Sequence, residues 1–97
     1  MKEEKILTLH PNGKKGVNVL KRRYNVISEF ILRTIKERNE ISFEDLTDLA
    51  VDRHSGSFDG KIVWNIVTVK LDLEARKIIE RIPKTSPHKL RLVNNEK

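Results

Sequence analysis

Residues 60–77 constrain this chain more than any other stretch, because they carry apolar side chains on two sides at once. Val67-Thr68-Val69-Lys70-Leu71-Asp72-Leu73 alternates apolar and polar and is rich in β-branched residues, which alone describes a strand. Over the full segment a helical period also holds. Ile62, Ile66, Val69 and Leu73 form one stripe, and Trp64, Val67, Leu71 and Ala75 form a second on nearly the opposite side. Lys61, Asn65, Thr68, Asp72 and Arg76 then share a polar face. Leu73-Glu74-Ala75-Arg76-Lys77 has high helix propensity, and Asp59 is a suitable N-cap. Length favours the helix, but periodicity leaves both readings open.

The flanking segments are simpler. Tyr24, Ile27, Phe30 or Ile31, and Ile35 recur at helical steps, which predicts a first helix over residues 23–38. In Ile41-Ser42-Phe43-Glu44-Asp45-Leu46, Ser42 can accept a bond from the Asp45 amide, Asp45 can reach back, and Ile41 suits a hydrophobic staple with Leu46. Such a cap contributes about 1 kcal/mol. The second helix is expected over 43–54, burying Leu46, Leu49 and Ala50, with His54-Ser55-Gly56-Ser57 ending it. Upstream, residues 5–10 alternate weakly and residues 16–20 suit a return strand. Between them Pro11-Asn12-Gly13 signals a turn, because Asn-Gly supplies positive φ angles. An N-terminal hairpin or arm is expected over 1–21. Downstream, short apolar-polar runs at 78–82 and 89–93 flank Pro83-Lys84-Thr85-Ser86-Pro87, which predicts a hairpin within 78–94 and then a polar tail.

This order of elements resembles a winged helix-turn-helix. Leu71-Asp72-Leu73-Glu74-Ala75-Arg76-Lys77-Ile78-Ile79-Glu80-Arg81 is similar to the stretch in which a recognition helix ends in Leu-Glu and turns into an Ile-x-Arg wing strand. Tyr24, residues 60–64, residues 69–76 and the preceding hairpin resemble a family of small, functionally uncharacterised bacterial winged-helix-like proteins, over nearly the whole chain. The resemblance implies a helix, not a strand, over 59–77. It implies an α+β, mainly α, fold: three helices, a C-terminal β-hairpin wing over 78–94 and the N-terminal arm. Lys77 departs from the pattern. Winged helices usually have Gly there, because the position past a helix end favours left-handed backbone. Either the helix ends by another geometry or Lys77 accepts strain.

At 97 residues the chain fits one domain over 1–97. Its 20 Lys and Arg outnumber 14 Asp and Glu, for a net charge of +6, which favours a polyanionic partner. The absence of cysteine excludes disulfides, thiolate catalysis and Cys-type zinc sites. The apolar runs are too short to span a bilayer, and Met1-Lys2-Glu3-Glu4-Lys5 leads into no signal-peptide pattern, so a cytoplasmic protein is expected. His10, His54 and His88 fall on three different elements without metal-ligand spacing, and no glycine-rich phosphate loop is present. No catalytic residue, metal or cofactor is therefore expected.

DNA binding is the first functional expectation, with the third helix in the major groove and the wing on the backbone. Lys61, Asn65 and Thr68 would meet base edges. Lys84, His88, Lys89 and Arg91 would carry the wing's contacts. Lys14, Lys15, Lys21, Arg22 and Arg23, the densest basic cluster, would grip phosphates. The alternative is a protein-interaction module on the same scaffold, with RNA binding a third reading. The second stripe, Trp64, Val67, Leu71 and Ala75, needs a cover. That cover is either the N-terminal hairpin or a second copy in a homodimer.

Overall fold

The computed structural model describes residues 3–56, 58 and 60–93. Asp59, Ser57 and the tail at 94–97 lie outside the described residues, so the proposed cap at Asp59, the helix stop at Ser57 and the polar tail do too. The described elements are β1 (Lys5–Leu7), β2 (Asn18–Leu20), α1 (Lys21–Arg38), β3 (Ile41–Ser42), α2 (Phe43–His54), α3 (Ile62–Ala75), β4 (Ile79–Ile82) and β5 (Lys89–Leu92). Three helices and two small antiparallel sheets make a small α+β domain.

The arm pairs β1 with β2 in the register Ile6↔Val19. Its connection is a wide loop. Gly13, at φ +76°, closes a turn by donating its N–H to the His10 carbonyl at 3.0 Å. Beyond the strands, Thr8 and Val17 exchange bonds through backbone and hydroxyl. Gly16 is required there, because a Cβ at this position would stand 1.7 Å from the Thr8 carbonyl oxygen. Helix α1 starts two residues earlier than the periodicity suggests. The reason is that β2 runs straight into it and Lys21 donates its N–H to the Glu4 carbonyl at 2.8 Å. The arm thus satisfies one of the donors a helix start leaves open.

Ser42 caps α2 by accepting from the Asp45 amide at 3.1 Å. Just before it, Ile41–Ser42 forms a strand that hydropathy does not announce. It pairs antiparallel with the hairpin, Ile41 opposite Leu90, giving the sheet order β3-β5-β4. Helix α3 is shorter than the 59–77 expected. It begins after Lys61, whose backbone is extended and whose side chain makes no cap bond. It ends when Lys77 turns left-handed at φ +63°. Lys77 then donates its N–H to the Glu74 carbonyl and Ile78 to the Leu73 carbonyl, both at 3.0 Å. These two bonds close a Schellman motif, so the helix ends as a glycine would end it, with Lys77 bearing the strain.

The core lies where the three helices meet the second sheet. Ile27, Ile31, Ile35, Leu46, Ala50, Ile66, Val69, Leu73, Ile79 and Leu90 are buried there. Leu49 packs only partly against it.

Candidate interaction surface

Helix α3 buries more than its apolar stripe. Its covered arc reaches toward α1 and the arm and takes in Asn65 and Asp72, which the sequence placed on a solvated polar face. Asp72 is fully buried and holds three elements together. Its Oδ1 accepts the Leu9 N–H of the arm at 2.8 Å. Its Oδ2 accepts the Tyr24 hydroxyl of α1 and the Arg76 Nε of its own helix, the latter at 2.8 Å. Charge-assisted bonds of this kind are among the strongest a protein makes, and burying a charged group is strongly unfavourable unless it is paired and hydrogen-bonded. Burial, then the bond and charge of Asp72, push the Tyr24 phenol up to about 12.

A second ionic group lies on the side of α3 that faces the β4–β5 hairpin. Buried Lys70 pairs with Glu74 at 2.8 Å, and Arg81 of β4 approaches Glu74 at 3.5 Å. The Lys70 ammonium also sits 5.0 Å over the Phe43 ring. His88 stacks on the same ring, with centroids 5.5 Å apart, and its Nε2 is buried without a partner. Burial lowers the His88 pKa, and the Lys70 and Arg81 charges lower it further. His88 therefore does not extend from the wing toward phosphate, as the sequence suggested. It faces inward and braces the β4–β5 hairpin against the start of α2, where Phe43 donates its N–H to the His88 carbonyl at 3.0 Å.

The outer side of α3 is apolar. Val63 is 52%, Trp64 47% and Val67 37% exposed. Leu71 and Ala75, the other half of the second stripe, are half-buried. The arm covers the stripe only around Leu71, where Leu9, Gly16 and Val17 line a cleft with Thr68 and Leu71. The cover anticipated for the whole stripe thus reaches one end of it. Val63 went unread in the sequence although it stands one helical step of four from Val67, a signal that was present.

The candidate DNA contacts are dispersed. Asn65 is 2% exposed and its amide is spent on the Lys61 carbonyl at 2.8 Å, so it has no access to a base edge. Thr68 faces the cleft beside the arm, and Lys61 alone of the three stands fully exposed. Lys21 pairs with Glu4 and Arg22 with Glu3; Lys89 pairs with Glu40 and Arg91 with Glu80. Arg23 lies against the backbone of Gly60. Exposed pairs are weak in stability terms, but in each the carboxylate offsets the net charge of its cation. Lys14 and Lys15 on the arm and Lys84 on the wing turn are exposed, on separate loops. Among the described residues no cluster of His, Asp and Glu is placed to hold a metal, and no helix is long and apolar enough to cross a membrane.

The buried Asp72 lock, the arm it holds and the apolar outer face of α3 define a small α+β domain with an unpartnered helix face. The chain belongs to a family of unknown function, DUF6958, whose model matches residues 5–90 and so takes in the arm, all three helices and the start of β5. No curated protein and no solved structure matches the chain.

Proposed function

We infer that this chain is a winged-helix scaffold that binds another protein through the outer face of α3. The carrying observation is that Val63, Trp64 and Val67 are exposed together while Asn65 is withdrawn into the interior. Exposed apolar clusters mark interaction sites, and tryptophan is among the residues that most often anchor them. The winged-helix assignment is supported by the order helix, strand, helix, helix, hairpin, and by the pairing of β3 with β5.

The charge of α2 supports protein over DNA. In helix-turn-helix docking the helix before the recognition helix crosses the phosphate backbone. Here that helix is α2, and Glu44, Asp45, Asp48 and Asp52 are all exposed on it. Four carboxylates facing phosphates would oppose the approach that the net charge of +6 favours.

Two experiments test the reading together. Affinity capture with the wild-type chain is expected to retain a protein that the Trp64→Ser/Val67→Ser variant loses. A gel shift on mixed DNA is expected to show at most a weak complex that disappears as salt rises, unaffected by that variant. A complex that survives physiological salt and is abolished by Lys61→Ala and Thr68→Ala would establish the DNA mode instead.

A further inference from the structure

The partner's chemistry is written into the surroundings of the apolar stripe. On the outer side of α3, Val63, Trp64 and Val67 lead directly to Leu71 and to the cleft it shares with the arm. From Val63 to Leu71 the stripe runs about 12 Å at 1.5 Å per residue, two turns of helix. The cleft at its end encloses about 110 Å³ between Leu9, Val17, Thr68 and Leu71. A stripe of this length ending in an apolar notch fits the helix-in-groove mode, in which a partner helix lays one face down and inserts an anchor residue.

Among the described residues, the exposed charges at the two ends of this surface are both positive. Lys61 stands exposed at the start of α3, and Lys15 lines the cleft at the other end. The two carboxylates of α3 both turn inward: Asp72 is fully buried, and the Glu74 side chain is 9% exposed and engaged by Lys70 and Arg81. A second copy docked face to face would set Lys61 and Lys15 against their own counterparts, on chains that each carry +6.

We propose that the α3–arm surface receives an acidic amphipathic helix of a partner protein, whose apolar face covers Trp64 and fills the cleft while its carboxylates meet Lys61 and Lys15. This rests on the protein-docking reading above and adds the class of partner.

Trp64 is the chain's one tryptophan, so its emission reports on this surface directly. The probes are Trp-free synthetic peptides of about 18 residues, long enough to hold a helix. One carries Leu at helical spacing among Glu; the second replaces every Glu by Lys; the third keeps the Glu and scatters the Leu. The first is expected to shift Trp64 emission to the blue, and the other two to leave it unchanged. Lys15→Glu/Lys61→Glu changes two exposed side chains only. It should weaken the Glu peptide by about tenfold and let the Lys peptide bind. Equal binding of the Glu and Lys peptides by the wild type would overturn the acidic assignment and leave protein docking standing. Absence of any Glu-peptide binding would overturn it as well. Light scattering showing a dimer that shields Trp64 would give the surface to a second copy. An oligonucleotide that quenches Trp64 at physiological salt would overturn this proposal and the docking reading together.

Discussion

The two sides of α3 invert the usual rule. The side turned toward α1 and the arm buries Asn65 and Asp72, and the side turned to solvent shows Val63, Trp64 and Val67. The difference is one of partners. Asp72 finds three hydrogen-bond donors inside, from Leu9, Tyr24 and Arg76, so its burial is compensated. Trp64 finds no covering element, because the arm crosses the helix nearer its C-terminal end, at Leu71. Beyond the apolar stripe of Ile66, Val69 and Leu73, what α3 buries follows the bonds available and the path of the arm. The inner side therefore carries stability, and the outer side carries the docking surface proposed above.

Replacing Asp72 should break the comparison most severely. Asp72→Ala strands three donors, one of them the Arg76 cation, and is expected to cost about 3 kcal/mol. It should lower the denaturant midpoint without changing the slope. Tyr24, the one tyrosine, gives a second readout. Its ultraviolet titration should fall near pH 12 in the wild type and lower in Asp72→Asn. Because this pKa is raised in the folded state, its contribution is fully present below about pH 10 and is lost as pH rises through about 12. A Tyr24 titration at the ordinary value would mean that the lock is open in solution.

The next effect is a slope. His88 faces Lys70 and Glu74 from α3, Arg81 from β4 and the Phe43 ring from α2, and its pKa is lowered. A lowered pKa means that the unfolded chain takes up a proton first. Stability should therefore fall as pH drops below about 6.5, the ordinary histidine value. His88→Phe keeps a ring on Phe43 and should flatten that part of the profile. An unchanged profile would show that His88 is solvated and the β4–β5 hairpin not braced as described.

These groups also mark how far the sequence could be read. The helical stripe at Ile27–Ile35 was legible because it has a regular period and faces one core, whereas at Ile62–Leu73 the strand-like alternation of residues 67–73 left the period undecided and the resemblance tipped it to helix. The start of α2 was legible because its cap is local, Ser42 to Asp45. The arc of α3 that is buried was not, since it depends on Leu9 meeting Asp72 across 63 residues. The strand at Ile41–Ser42 has too few residues to show an alternation. Of the candidate site, the second stripe was visible as a pattern, but which of its residues stay exposed was decided by where the arm lies. The basic residues were read as a cluster because they adjoin in sequence, and their ion pairs to Glu3 and Glu4 come from the fold of the arm.

Lys77 sharpens the comparison more gently. It is left-handed at the end of α3, where glycine would sit without strain. Lys77→Gly should stabilise the fold by about 1 kcal/mol, seen as a higher denaturant midpoint. A loss of stability would indicate that the lysine side chain makes a contact worth more than the strain. On the outer side, Trp64→Ser/Val67→Ser removes side chains that are about half exposed and should cost about 1 kcal/mol, well below Asp72→Ala, while abolishing partner binding. A destabilisation comparable to that of Asp72→Ala would make Trp64 part of the core.

The most direct test of the inverted helix is iodide quenching of Trp64 in the free chain, at concentrations where light scattering shows a monomer. The account predicts solvent-like emission and strong quenching, with both reversed when a partner helix binds. Blue-shifted emission that iodide leaves untouched in the monomer would contradict it, because the outer face of α3 would then already be covered by the chain itself.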